Sequence, residues 1–140
     1  MAVHTQPLYA IKAELFKALA HPARLQVLEV LAADPGLTAP VARLLEATGA
    51  EPSALSQHLA VLKRAGVVDS TRTGNVVDYR LTEPLVAELL VVARAFLLTR
   101  LAETATPAQL DAARHLPALP GATAGAVLDA AEALFEDASR

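Results

Sequence analysis

The segment from Pro52 to Gly66 constrains the fold of this chain more than any other. Leucines recur in it at spacings of four and three residues, which places them on one face of a helix. These leucines are Leu55, Leu59 and Leu62. Ser53 is expected to cap the helix start, and Gly66 to end the helix in a left-handed conformation. The segment therefore predicts an amphipathic helix with a buried leucine face.

Short or neutral polar side chains occupy the opposite face of this helix, namely Ser53, Ser56, Gln57 and Ala60. Such a face fits the floor of a DNA major groove, where Gln pairs with an adenine edge and Ser donates or accepts a hydrogen bond. His58 lies beside the leucine face and is expected to pack there or to contact phosphate. Lys63 and Arg64 are expected near phosphates. An ordinary surface helix would show the same leucine pattern, so the next segment decides between the two interpretations.

A β-hairpin is predicted directly after this helix. Residues 67–71 and 76–81 have the composition of strands, and residues 72–75 that of a turn. A polar-faced helix followed by a hairpin with a basic residue near its tip is typical of a winged helix-turn-helix. Arg72 and Asn75 are then expected to reach the DNA backbone or minor groove.

Three helices are predicted before this segment. They cover residues 8–20, 22–33 and 39–47, with Pro22 at a first helical position and Thr38 as the cap of the third helix. The buried candidates of the second helix are Leu25, Leu28, Val30 and Leu31. The third helix and residues 53–65 would form the helix-turn-helix. Residues 1–7 are expected to form a flexible arm.

A long helix is predicted from residue 83 to residue 102, and it is apolar on nearly every side. Glu88, Arg94 and Arg100 interrupt its apolar run, which disfavours a membrane span. A helix of this kind is otherwise covered on several sides, so a homodimer interface is expected. The predicted interface residues are Leu8, Ile11, Leu15, Leu89, Val92 and Phe96.

The C-terminal part is predicted to be a helical extension, residues 104–140, beyond a DNA-binding and dimerisation domain at residues 1–103. Thr106 and Gln109 form a capping-box pattern, so a short helix should run to about His115. A linker at residues 116–121 and a last helix at 123–138 complete the prediction.

The net charge of −3 does not by itself favour nucleic acid, but its distribution matters. Residues 1–100 hold ten Lys and Arg against nine Asp and Glu, whereas residues 101–140 hold two against six. The body is thus weakly basic, and its attraction to phosphates should be modest and sensitive to salt. No secretory signal is evident at the N-terminus, so a cytoplasmic protein is expected.

Metal and catalytic sites find little support in the sequence. The chain contains no Cys, which excludes disulfides and thiolate metal sites. Asp111 and His115 lie four residues apart on one predicted helical face, and His4 could join them to hold nickel or zinc. His21 is interpreted as a structural turn residue. No phosphate-binding glycine loop or catalytic triad motif is present, so we predict no enzyme and no cofactor.

With these residues in view, the chain resembles the ArsR/SmtB family of bacterial winged-helix repressors. The resemblance spans about residues 15–101 and is strongest in residues 16–25, 53–59 and 62–68. It implies a homodimer built on the first helix and the long helix, and binding to duplex DNA that an effector relieves. The Cys and His metal ligands that many members carry at the DNA-reading helix and the dimer helix are missing here.

The sequence leaves three functions open. The first is a repressor that binds a palindromic operator as a homodimer and responds to an effector other than a Cys-bound metal. The second is a dimerisation or protein-interaction module that has lost operator binding. The third is a repressor with a different sensor, which is either an apolar small-molecule pocket enclosed by the dimer helix and the C-terminal helices or a His-based nickel or zinc site.

Overall fold

The computed structural model describes residues 6–104, 106–116 and 119. These residues form helices and strands in the order α1 Gln6–Leu19, α2 Pro22–Ala33, β1 Thr38–Pro40, α3 Val41–Thr48, α4 Pro52–Arg64, β2 Val68–Thr73, β3 Val76–Leu81, α5 Pro84–Thr104 and α6 Pro107–Arg114. The predicted fold class, mainly helical with a β-hairpin wing, is confirmed. The predicted last helix at residues 123–138 lies outside the described residues.

The chain divides into two compact units, Met1–Thr82 and Glu83–Arg140. The first contains α1 to α4 and the strands β1 to β3, and the second contains α5 and α6. The predicted boundary after residue 103 separates a DNA-binding and dimerisation domain from a C-terminal extension. This functional division stays a prediction.

The core of the first unit joins α2, α3 and α4 to the sheet. Its side chains with at most 2% of their surface exposed are Val27, Leu28, Leu31, Leu44, Leu55, Leu59, Leu62, Val68 and Leu81. Full burial of one such side chain contributes about 1.5–3 kcal/mol to folding. This core fixes the position of α4, because three of its leucines belong to that helix.

Two of the four buried candidates predicted for α2 are not buried, because Leu25 is exposed and Val30 is only half-buried. Leu25 is 41% exposed, whereas Val27 is fully buried. The buried residues of α2 are Val27, Leu28, Leu31 and Ala32, so its buried stripe begins two residues later than predicted. Apolar residues occur on several sides of α2, so their spacing in the sequence did not show which side is buried.

The hairpin belongs to a three-stranded sheet rather than standing alone. The strand order is β1-β3-β2, and both neighbours run antiparallel to β3. The prediction that Thr38 caps a helix starting at residue 39 is wrong, because Thr38 pairs with Arg80 in the sheet. Its hydroxyl donates a hydrogen bond to the Tyr79 carbonyl at 3.1 Å. A strand of three residues that ends in proline leaves almost no alternation to detect.

The first helix begins earlier than predicted. Gln6 and Pro7 belong to α1, so the predicted arm at residues 1–7 is wrong for these two residues, and residues 1–5 lie outside the described part. Proline is tolerated in a first helical turn, where its missing N–H has no helical partner. At the start of α2, the predicted role of Pro22 as a first helical residue is confirmed.

The second unit shows the long helix and the capping box. The predicted helix is confirmed as α5, which extends two residues beyond its predicted end. The Thr106 hydroxyl accepts from the Gln109 N–H at 3.3 Å, and the Gln109 side chain accepts from the Thr106 N–H at 3.1 Å. These reciprocal bonds satisfy two N–H groups at the start of α6 and explain why the helix begins at Pro107.

Candidate nucleic-acid interface

The two helices α3 and α4 form the predicted helix-turn-helix. The chain leaves α3 at Gly49, whose N–H donates to the Leu45 carbonyl at 2.9 Å. The Thr48 hydroxyl donates to the Leu44 carbonyl at 2.8 Å and accepts from the Ala50 N–H at 3.3 Å. These bonds satisfy the backbone of the turn, so the entry of the chain into α4 is fixed locally.

The faces of α4 are divided as the sequence predicts. Leu55, Leu59 and Leu62 are buried, at 1%, 2% and 0% exposure. The polar face of α4 consists of Ser53, Ser56, Gln57 and Ala60, and all four residues are exposed. No Asp or Glu lies within α4 itself, so the polar face carries no negative charge that would repel phosphate.

The start of α4 differs from the prediction in one respect. Ser53 does not cap the helix, because the N-cap residue is Glu51, and no side chain hydrogen-bonds at this cap. Pro52 occupies the first helical position, where its fixed φ suits the helix, and the cap therefore lies two residues earlier than predicted. Ser53 is therefore inside the first turn, with its side chain exposed.

The end of α4 connects to the hairpin through Gly66. The Gly66 N–H donates to the Lys63 carbonyl at 3.0 Å, and the Val67 N–H donates to the Leu62 carbonyl at 3.2 Å. This is a Schellman motif, and Gly66 at φ 79° takes the left-handed conformation that it requires. Thr82 adds two bonds, from its hydroxyl to the Gly66 carbonyl at 2.7 Å and from its N–H to the Val67 carbonyl at 3.1 Å.

The wing, β2 and β3, is longer than predicted and its turn is shorter. Arg72 pairs with Val77 and Thr73 with Val76, so Arg72 lies in β2 rather than in the turn. The loop is Gly74-Asn75, and Gly74 has φ 62°, a positive value that glycine adopts without strain. Asn75 is exposed at the tip, while the Arg72 Nε donates to the Gly74 carbonyl at 3.2 Å.

A hydrogen bond joins the end of α4 to the wing. The Lys63 Nζ donates to the Ser70 hydroxyl on β2 at 2.8 Å. Lys63 and Arg64 are both exposed, and Arg64 also lines a groove between α1 and α4. The two basic residues predicted together at the end of α4 therefore have different surroundings.

Two histidine rings meet where α2 begins beside α4. The ring centroids of His21 and His58 are 4.1 Å apart. His21 is the N-cap of α2, and its Nδ1 accepts from the Ala23 N–H at 3.1 Å, which confirms its structural role. Burial is the main reason that the pKa of His58 lies below its usual range, and the nearby His21 and Arg24 add to the effect.

Arg24 is a residue that the sequence analysis missed. Its Nη1 donates to the Ala18 carbonyl at the end of α1 at 2.8 Å. Its Nε is buried and has no hydrogen-bond partner among the described residues. The side chain thus links α2 to α1 and retains one unused donor. A charged residue within an apolar helix was the only signal that could have indicated it.

The residues predicted for a dimer interface are partly exposed in each unit. In the first unit, Leu8 and Ile11 are each 67% exposed, and Leu15 is half-buried. In the second unit, Phe96 is 70% exposed, Val92 is partly exposed and Leu89 is half-buried. Both helices therefore present apolar side chains to solvent in the single chain, as an interface prediction requires.

Of the three metal candidates only Asp111 and His115 are described, so the predicted His-based metal site stays a prediction. The His115 Nδ1 lies 2.8 Å from the backbone carbonyl oxygen of Asp111. The contact therefore joins the His115 ring to the main chain of Asp111 and not to its carboxylate. His4 lies outside the described residues. Among residues 6–104, 106–116 and 119, no three His, Asp or Glu side chains are grouped to hold a metal ion. Within the same residues, no helix is long and apolar enough to cross a membrane.

Proteins similar in sequence to this chain are transcriptional regulators of the helix-turn-helix type. A helix-turn-helix domain model matches residues 19–71. The chain is 49% identical over 96 residues to Rv0081, an HTH-type transcriptional regulator of Mycobacterium tuberculosis, and the match covers 68% of this chain and 82% of the relative.

Solved structures extend this similarity to the whole winged-helix architecture. The crystal structure of Rv0081 has a TM-score of 0.63 at 48% identity and covers 71% of this chain and 98% of its own. The homodimeric winged helix-turn-helix DNA-binding domain Mb0332 of Mycobacterium bovis has a TM-score of 0.63 at 29% identity, covering 73% of this chain and 92% of its own. The transcriptional repressor BigR of Xylella fastidiosa has a TM-score of 0.59 at 29% identity, covering 69% and 95%.

Proposed function

The chain belongs to the ArsR/SmtB-type helix-turn-helix transcriptional regulators, and we propose that it binds a palindromic operator as a homodimer. In this proposal each subunit places α4 in a major groove, and the two half-sites lie about one helical turn apart. The protein acts in the cytoplasm as a repressor, without enzymatic activity. An effector other than a Cys-bound metal relieves it, because the chain contains no Cys.

The observation that carries this proposal is the polar face of α4. Four short or neutral side chains are exposed there, while the opposite side of the same helix is anchored in the core. Because the core anchors the helix, its hydrogen-bonding groups are held in a fixed position from which they can contact DNA. We assign base reading to Ser56 and Gln57, with Ser53 and His58 near the phosphates or base edges.

The wing supplies the second group of contacts. Arg72 and Asn75 lie at or near its tip, and Lys63 connects to its β2 strand through Ser70. We assign these residues, with Arg64, to phosphates or to the adjacent minor groove. Contacts of this kind bind without selecting sequence, and they strengthen as salt is reduced.

The homodimer rests on the exposed apolar side chains of α1 and α5 and on the homodimeric relative Mb0332. A soluble chain rarely leaves large apolar side chains such as Phe96 and Ile11 in water without a partner. The two-fold axis of the dimer would match the palindrome of the operator.

Selection of genomic fragments by the purified full-length protein tests operator binding. We expect enrichment of fragments that share an inverted repeat. In gel shifts with such a fragment, Gln57→Ala should reduce the preference for the operator over unrelated DNA about 5- to 150-fold, because one base contact contributes about 1–3 kcal/mol of discrimination. Gln26→Ala, an exposed glutamine on α2, is the matched control and should leave the preference unchanged.

Two outcomes contradict parts of this proposal. Full operator preference in Gln57→Ala would show that base reading is assigned to the wrong residue. Absence of sequence-dependent binding at both low and moderate salt would instead favour the alternative of a dimerisation or protein-interaction module, for which the net charge of −3 is the supporting observation.

A further inference from the structure

The connection between α4 and the wing contains one residue that side-chain packing does not restrain. This residue is Gly66, whose φ of 79° lies in the left-handed region. Among the described residues, no atom beyond its chain neighbours lies within 4 Å of the position that a Cβ would take there. On either side of it, Leu62 and Val68 are buried in the core. The connection is therefore anchored at both ends and free of side-chain packing in the middle.

The length of the wing makes the angle at this connection important. The strand β2 has six residues, which at about 3.3 Å for each residue gives a length of about 20 Å. A rotation of about 10° at the base of the wing then moves its tip by about 3.5 Å, which is enough to break a hydrogen bond at the tip. Apolar burial is non-directional and does not fix such an angle, whereas hydrogen bonds are directional. Hydrogen bonds across the connection are therefore needed to hold the tip in place.

Thr82, the residue after β3, supplies two such bonds. Its hydroxyl donates to the Gly66 carbonyl at 2.7 Å, and its N–H donates to the Val67 carbonyl at 3.1 Å. The N–H bond continues the ladder between β2 and β3 by one step, because Val68 pairs with Leu81. The hydroxyl bond reaches one residue further, to the peptide group of the glycine. Thr82 therefore ties the end of the second wing strand to the end of α4.

A second bridge crosses the connection from α4 to β2. It is the hydrogen bond from the Lys63 Nζ to the Ser70 hydroxyl at 2.8 Å. Lys63 is exposed, and a long side chain loses much rotamer freedom when it is held in one position. Thr82 is half-buried and has a short side chain, so its bond requires less ordering. Of the two bridges, the Thr82 hydroxyl is thus expected to restrain the wing more strongly.

We propose that Thr82 is a positioning residue for DNA binding, because its hydroxyl holds the wing at a fixed angle to α4 through the Gly66 carbonyl. This inference rests on the proposed function, in which α4 and the wing contact the same duplex. With the angle fixed, Arg72 and Asn75 reach the DNA when α4 lies in its groove. Without the hydroxyl, only a fraction of the molecules has the wing in the binding orientation, and the affinity falls in proportion to that fraction.

Thr82→Val tests the proposal, because it removes the hydroxyl and keeps the shape of the side chain. The affinity for DNA should fall about 2- to 12-fold, which is the factor that one neutral hydrogen bond contributes to an equilibrium constant. Fluorescence anisotropy should show the same loss for operator and unrelated DNA. The salt slope should stay unchanged, because the number of phosphate contacts is the same. An unchanged affinity would overturn the proposal and leave the angle to core packing.

Two further variants serve as controls for the hydroxyl. Thr82→Ser keeps this group and should bind DNA like the unchanged protein. Thr38→Val also removes a hydroxyl that donates to a backbone carbonyl, at 3.1 Å, but this bond joins β1 to β3 and does not involve α4. It should leave the affinity unchanged. A loss in Thr82→Ser as large as that in Thr82→Val would show that the hydroxyl is not the group responsible.

A double-variant cycle shows whether Thr82 acts through the wing. In a chain that also carries Arg72→Ala, the wing contributes less to binding, so Thr82→Val should cause a smaller loss of affinity than it causes alone. Binding is measured under conditions in which urea denaturation shows each variant to be folded. An equal loss in both backgrounds would mean that Thr82 supports the fold rather than the position of the wing, and it would overturn the proposal.

Nitrogen-15 relaxation of the backbone amides tests the restraint without DNA. In the unchanged protein, Arg72 and Val77, which pair in the wing, should have order parameters of about 0.85. These values should fall in Thr82→Val, whereas that of Leu59 in α4 should not. Values below about 0.6 in the unchanged protein would overturn the proposal even if Thr82→Val does not fold. If the order parameters behave as expected but the protein binds no DNA, the restraint stands and the proposed function fails.

Discussion

The helices α4 and α5 distribute their apolar residues in opposite ways. In α4 the leucines are confined to one side, and the other side exposes Ser56, Gln57 and their neighbours. In α5 the apolar residues surround the helix, and Phe96, at 70% exposure, is among several that remain in solvent. Helix α4 buries its leucines within its own unit, and its exposed polar face suits a polar partner such as DNA. Helix α5 exposes a surface that only another apolar surface can cover.

This difference identifies which contacts define the fold and which define the assembly. Truncating a residue on the buried side of α4 should lower the stability of the unit, whereas changing the exposed side of α5 should alter association.

Leu59→Ala should lower the free energy of unfolding by about 2–5 kcal/mol, because it leaves a cavity where a side chain now has 2% exposure. Urea denaturation followed by circular dichroism measures this change. Gln57→Ala, on the exposed side of the same helix, should change it by about 0.5 kcal/mol or less. Equal losses in the two variants would contradict the division of faces.

Phe96→Asp should weaken the proposed dimer by about 2–4 kcal/mol, because it removes an aromatic contact and places a charge in an apolar interface. Sedimentation equilibrium over a range of concentrations measures the dissociation constant. Val76→Asp is the control, since Val76 is also a large apolar residue, 50% exposed, but lies in the wing. An unchanged dissociation constant in Phe96→Asp would exclude this part of α5 from the interface.

Arg72→Ala should weaken binding to all DNA sequences to a similar extent and reduce the slope of log affinity against log salt by about 1. Fluorescence anisotropy with operator and unrelated DNA at several salt concentrations provides the slopes. Lys12→Ala, which removes an exposed positive charge from α1, should leave them unchanged. A loss restricted to the operator would mean that Arg72 reads bases.

Acidification should produce the smallest effect, through His58. Its pKa is lower in the folded chain than the ordinary value of about 6.5, so above that pH both states are neutral and titration contributes nothing. As the pH falls below about 6.5, the unfolded chain takes up the proton first, and the free energy of unfolding falls until the folded His58 is protonated too.

Urea denaturation at several pH values between about 7 and 5 tests this sign. His58→Gln should lose less stability on acidification than the unchanged protein. His115→Gln, at an exposed histidine, should behave like the unchanged protein. A steeper loss in His58→Gln would contradict the assignment.

The sequence predicted elements wherever a long periodic pattern or a strong end signal was present. The leucines of α4, the capping box of Thr106 and Gln109, and the left-handed Gly66 are such signals, and each is confirmed. Each depends on residues that are close in the chain, so local chemistry was sufficient.

Several errors arose where distant residues decide the structure. Thr38 has the chemistry of a cap, but pairing with Arg80 draws it into a sheet. Leu25 has the spacing of a core residue, but the packing of α2 buries Val27 instead. Arg24 and the meeting of His21 with His58 depend on tertiary packing, and no spacing in the sequence indicates them.

The connection at Gly66 has a consequence for how a protein of this kind acquires new targets. Only residues 65–67 separate α4 from β2, and Thr82, which follows β3, hydrogen-bonds to Gly66 and Val67 in this connection. The distance between α4 and the tip of the wing is therefore fixed by the fold. Substitutions on the polar face of α4 can change which bases are preferred, while the length of DNA spanned by one subunit stays the same.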